Sequence, residues 1–74
     1  MDHTSEGFSI KLRLTKNRLT LNWLLAELKE RGIEINKTYL SECLSGKNQS
    51  DEAKRVLTAS GEILCIYERF INEI

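Results

Sequence analysis

Proline is absent from this 74-residue chain, and no low-complexity or linker-like tract stands in for it. A proline-rich hinge between two units is therefore excluded, and the length allows one small domain, residues 1–74. Histidine occurs once, at His3, and cysteine twice, at Cys43 and Cys65. Neither cysteine has a second cysteine or a histidine at metal-ligand spacing, so no metal site can be drawn. Both read as reduced core cysteines that a helix turns inward. The four glycines build no phosphate-cradling loop, and no nucleophile has a base beside it. The expectation is a protein that is not an enzyme and takes no cofactor. No apolar run approaches the roughly 20 residues of a membrane span. The opening MDHTSEGFS lacks a positive region followed by an apolar stretch, so it does not read as a secretory signal. A cytoplasmic protein without membrane contact is expected, with residues 1–5 a frayed tail.

Net charge is missing too: eleven cations balance eleven acids. DNA-binding domains are usually basic, because neutralising phosphate supplies much of their affinity. The charges are unevenly spread, however. Residues 7–25 hold Lys11, Arg13, Lys16 and Arg18 and no acid, whereas the last fifteen residues hold Glu62, Glu68 and Glu73 against Arg69 alone. With 41% hydrophobic and 30% charged residues the chain reads as an ordinary folded one. A chain this short buries only about 60% of its unfolded surface, which limits it to one compact helical core.

The segment Phe8–Leu14, FSIKLRL, alternates apolar and polar residues as a strand does. A helix over about 6–17 is favoured, because Ile10 and Leu14 share a helical face, Ser5 can cap it, and no second strand is at hand as a partner. A second helix spans about 21–31, with Leu21, Leu24, Leu25 and Leu28 inward, Trp23 beside them, and Gly32 as a left-handed stop. A third spans about 37–45, with Leu40, Cys43 and Leu44 inward and Gly46 ending it. Ser50 caps a fourth, with Asp51 and Glu52 at the positive end of its dipole and Ala53, Val56 and Leu57 inward. Ser60 and Gly61 punctuate. A fifth, about 62–73, carries Ile63, Ile66, Tyr67, Phe70, Ile71 and Ile74 at three-and-four spacing. This wide stripe either closes the core or presents Tyr67, Phe70 and Ile74 to a dimer or another partner. The fold class expected is all-α, a compact bundle of about five short helices.

Two helix openings share one chemistry. Thr20 is placed to cap the second helix, with Leu19 before it and Leu24 four after. Asn36 is placed to cap the third, with Ile35 before it and Leu40 four after. Each is an N-cap flanked by a hydrophobic staple, which sets the angle at which the chain enters the helix. A capped helix, a turn and a second short capped helix ending at glycine has the layout of a helix-turn-helix.

These residues resemble the Xre-type family of phage repressor and Cro-like helix-turn-helix domains. The resemblance runs from about Ile10 to Leu64 and rests on LTLNWLLAEL and TYLSECLSGKN. The Trp-Leu pair and the Tyr-Leu-Ser triplet look like small phage-encoded regulators of Gram-positive bacteria. The resemblance implies that Lys37, Thr38, Ser41 and Glu42 face base edges, Tyr39 flanking them. It also implies that Lys47, Asn48 and Gln49, with an amide at Thr20 or Leu21, hold phosphate. The side-chain chemistry suits these roles, since lysine donates to guanine, glutamate accepts from cytosine and threonine touches either. In two places the chain departs from the family. Seven residues, Lys29 to Ile35, separate Leu28 from Asn36 where about two are usual. Leu25 stands where a small residue is usual. The expected function is a sequence-specific DNA-binding regulator acting as a homodimer on an operator. The alternative is an antirepressor-like module that binds a phage repressor and blocks its DNA surface.

Overall fold

In the computed structural model, which describes residues 4–72, the alternating segment Phe8–Leu14 is helical. Alternation suits a helix here because its four apolar residues form two pairs, each with i, i+4 spacing, on opposite faces. Ile10 and Leu14 are buried, whereas Phe8 and Leu12 are 60% and 54% exposed. Four helices follow one another: α1 Thr4–Lys16, α2 Leu21–Glu30, α3 Lys37–Ser45 and α4 Asp51–Asn72. Among the described residues there is no strand.

Two of the expected boundaries are corrected. α1 begins at Thr4, so Ser5 lies inside the helix and does not cap it. Of the expected tail, residues 1–3 lie outside the described residues, and Thr4 and Ser5 are helical. The fourth and fifth helices are one, α4, which passes through Ser60 and Gly61 unbroken. Ser60 is fully buried and its hydroxyl donates to the Val56 carbonyl oxygen at 2.8 Å, so the helix itself satisfies the one polar group that argued for a break.

α1, α2 and α3 end in the same way. In each, two amides just past the last turn donate back to it, the arrangement that a left-handed residue permits. Leu19 N reaches Leu14 O at 2.8 Å, Ile33 N reaches Leu28 O at 2.9 Å, and Lys47 N reaches Glu42 O at 3.0 Å. The left-handed residues are Arg18 (φ 59°), Gly32 (φ 85°) and Gly46 (φ 85°). Two of these stops are glycines; the third is an arginine, a residue that gives no sign of it in the sequence.

The core is built from all four helices. Ile10 and Leu14 of α1, Leu24 and Leu28 of α2, Leu40, Cys43 and Leu44 of α3, and Ala53, Val56, Leu57, Ile63 and Leu64 of α4 are buried together. Cys43 is inward as expected, and burial, with Glu42 and Glu52 nearby, raises its pKa and keeps the thiol protonated. Cys65 is exposed, on the side of α4 away from the core, against expectation. Leu21, Trp23 and Leu25 are half-buried at the core's edge, as are both staple residues, Leu19 and Ile35. The 22 residues of α4 extend about 33 Å, close to the molecule's longest dimension of 37 Å. Its inward face fills the core as far as Leu64, while Ile66, Phe70 and Ile71 are left exposed near its end.

Candidate nucleic-acid interface

Both expected caps are made. Thr20 Oγ1 accepts from Trp23 N at 3.1 Å, and Asn36 Oδ1 accepts from Tyr39 N at 2.7 Å. The second cap sets where α3 begins, and Leu40, Cys43 and Leu44 set its rotation by turning into the core. With those three fixed, Lys37, Thr38, Ser41 and Glu42 are exposed. One helix face thus presents an ammonium, two hydroxyls and a carboxylate, a set of donors and acceptors able to read polar edges. Tyr39 is half-buried and packs on the core beside them.

The connection between α2 and α3 occupies residues 31–36. Beside it lies an open groove of about 620 Å³, lined by Leu25, Ala26 and Lys29 of α2, the connection, Tyr39 of α3 and Glu52 of α4. Leu25 is part of its wall.

The loop after α3 divides the expected phosphate contacts. Lys47 is exposed. Gln49 Nε2 donates to Gly46 O at 3.1 Å and Asn48 Oδ1 accepts from Ser50 N at 3.1 Å, so both side chains help to hold the loop's own shape. Ser50 Oγ then caps α4 by accepting from Ala53 N at 3.2 Å. Thr20 is exposed, with its oxygen already receiving the Trp23 amide.

Comparison with family models, curated proteins and solved structures finds no match.

Of the four cations in the basic stretch, three remain exposed: Lys11, Lys16 and Arg18. Arg13 is paired with Glu68 of α4, Nη2 to Oε1 at 2.7 Å, and Asn17 Nδ2 adds a bond to the same carboxylate at 3.0 Å. The Arg13 hydrogen bond, joined by that of Asn17 and opposed by partial burial, holds Glu68 below the ordinary carboxylate value. Arg18 is the residue that the sequence reading did not assign a role: exposed, and two positions before the Thr20 cap of α2. The expected partner-facing residues also separate. Phe70 is 63% exposed. Tyr67 is half-buried, its ring edge-on to Trp23 with centroids 5.3 Å apart, so it seals α4 onto α2. Ile74 lies outside the described residues. Among the described residues no group of three or more His, Cys, Asp or Glu could hold a metal ion, and no helix is long and apolar enough to cross a membrane.

Proposed function

We propose that the chain is a small sequence-specific DNA-binding transcriptional regulator of phage repressor or Cro-like type, with α2, the connection and α3 working as a helix-turn-helix. The observation that carries the reading is α3 itself. It is capped by Asn36, locked by Leu40, Cys43 and Leu44, and exposes Lys37, Thr38, Ser41 and Glu42 together. An α-helix with its side chains is about 10–12 Å across, which suits a major groove roughly 12 Å wide. Lys47 and the start of α2, with Arg18 ahead of it, are the groups suited to phosphate. So short a helix touches few base pairs, which is why a homodimer on a palindromic operator is part of the proposal.

A second reading is favoured by Glu42. A carboxylate facing DNA costs affinity unless a cytosine amine answers it, whereas facing a basic protein surface it helps. On that reading the same α3 face belongs to an antirepressor-like module whose partner is a phage repressor. Fluorescence-anisotropy titration with the DNA upstream of the chain's own gene, beside scrambled DNA, at low and physiological salt, decides between them. Selective, salt-sensitive binding is expected. Lys37→Ala should then lose about 1–3 kcal/mol on the operator only, and Lys47→Ala should weaken both DNAs alike. No binding even at low salt would discard the DNA reading and direct the search to a protein partner.

A further inference from the structure

We propose that the outward face of α1, where Phe8 and Leu12 stand between Lys11 and Lys16, docks an acidic amphipathic helix of another protein. Phe8 and Leu12 are 60% and 54% exposed and lie one above the other at i, i+4. That exposure is fixed from within, because α1 is not free to roll and hide them. Ile10 and Leu14 fill the core, Gly7 lies hard against the backbone of Leu44, and Arg13 is bonded to Glu68 at 2.7 Å.

The occupant follows from the charges beside the apolar pair. In a heptad, Phe8 and Leu12 take the two seam positions of a helix pair, and Lys11 and Lys16 take the positions that flank a seam on its two sides. Both lysines are exposed, and neither is in an ion pair among the described side chains. Lys16 borders one hollow with Glu68, but that carboxylate is held by Arg13 and Asn17. Residues 7–26 contain no acid. A partner that covers the apolar pair must therefore bring anions of its own to both flanks. A second copy of α1 does not, since flanking positions meet whether two helices run parallel or antiparallel, and lysine would face lysine. The exposed Ile66 and Phe70 of α4 fit no better, because Arg69 holds the matching flanking position and Glu62, one heptad earlier, is bonded to Arg31. DNA supplies anions but its phosphates offer Phe8 and Leu12 no apolar cover. A lipid surface needs a longer apolar face than these two side chains. An acidic helix with leucine or isoleucine on its seam and Glu or Asp on its flanks answers all four residues at once.

The seam is short, because the next position along it is Thr15. Two apolar side chains cover well under the roughly 800 Å² per partner of a standard stable interface, so the complex is a transient one. The proposal stands apart from the DNA reading, since the α1 face shares no residue with the α3 face and is measured without nucleic acid.

The probe is a synthetic helical peptide of about three heptads with leucine on its seam and glutamate on its flanks, beside the same peptide with lysine in place of glutamate. Titrated into the isotope-labelled chain and followed by amide NMR, the glutamate peptide should bind with a dissociation constant between about 10 µM and about 1 mM. The signals that move should be those of the outward residues of α1, and the lysine peptide should not bind. Leu12→Ser, whose fold is checked by circular dichroism, should weaken the complex at least about tenfold. Lys11→Glu combined with Lys16→Glu should reverse the preference, so that the lysine peptide binds the more tightly. No binding of the glutamate peptide at about 1 mM would overturn the proposal. Equal binding of both peptides, or a complex indifferent to Leu12→Ser, would overturn it too. Binding to phosphatidylglycerol vesicles that Leu12→Ser abolishes would give the face to lipid instead, and DNA binding abolished in the same way would give it to nucleic acid.

Discussion

Gly7 decides how closely α1 and α3 approach. A methyl group on its Cα would overlap the backbone of Leu44, 2.8 Å from the carbonyl carbon and 2.9 Å from Cα. Alanine is the better helix former by about 1 kcal/mol, yet the atoms it meets belong to a backbone that cannot rotate aside. Overpacking of this kind costs about 1–3 kcal/mol, so the clash outweighs the propensity and Gly7→Ala should be net destabilising. Urea denaturation measures it, and a variant as stable as the wild type would show that α1 and α3 can separate freely. Glu68 matters at this scale because its carboxylate joins the last turn of α1 to α4 through Arg13 and Asn17. Its pKa is held below the ordinary 4.5. The stability it contributes is therefore complete above that ordinary value and is lost as the pH falls through the lower, folded one. Glu68→Gln should lower stability near neutral pH by about 0.2–1 kcal/mol, the range for a partly exposed pair. Thermal melts at about pH 7 and pH 3 should show the gap between variant and wild type narrowing in acid. A gap of equal size at both would remove the charge from the explanation.

At the scale of the element, α4 reverses the argument made for glycine at Gly7. Gly61 lies within its 22 residues, and a methyl group there meets no heavy atom within 4 Å. Only the backbone cost of glycine remains, so Gly61→Ala should stabilise the protein by about 0.5–1 kcal/mol, read as a higher denaturation midpoint. A loss of stability would mean that α4 bends at this point. The same pair of residues explains an error of sequence reading. Ser60-Gly61 reads as punctuation because both residues favour turns, but a buried hydroxyl bonded to Val56 and an unobstructed glycine are tolerated once the flanking apolar face is buried. α2 and α3 were legible almost to the residue, since their limits are written in local chemistry, the Thr20 and Asn36 caps and the glycines at 32 and 46. The start of α1 was less so, because Ser5, the expected cap, lies inside the helix, while its end fell within one residue although the left-handed residue there is Arg18. The exposure of Cys65 and of Ile66 follows from the rotation of α4 that buries Ile63 and Leu64, which is set by the helix running unbroken through Ser60 and Gly61.

For the whole molecule the open question is what a neutral protein does with an unequal charge distribution. The exposure of Lys37, Thr38, Ser41 and Glu42 was legible, because Leu40, Cys43 and Leu44 dictate the opposite face of α3. The engagement of Asn48 and Gln49 within their loop was not, since it depends on the path the chain takes from Gly46 to Ser50. Once Arg13 is committed to Glu68, the basic stretch keeps Lys11, Lys16 and Arg18 exposed. Glu42 stands on the α3 face and opposes any anion brought to it, so its sign of action separates the two functional readings. If α3 enters DNA, Glu42→Gln removes a repulsion with every phosphate nearby, and affinity for scrambled DNA should rise several-fold. Selectivity for the operator should fall at the same time if the carboxylate accepts from a cytosine amine, because an amide discriminates less sharply there. If α3 faces a basic repressor, the same substitution removes an attraction, and the protein complex should weaken. Anisotropy on both DNAs and co-migration with the repressor measure the two effects on one variant. A Glu42→Gln protein unchanged in all three would place the carboxylate outside any interface and return the α3 face to bare solvent.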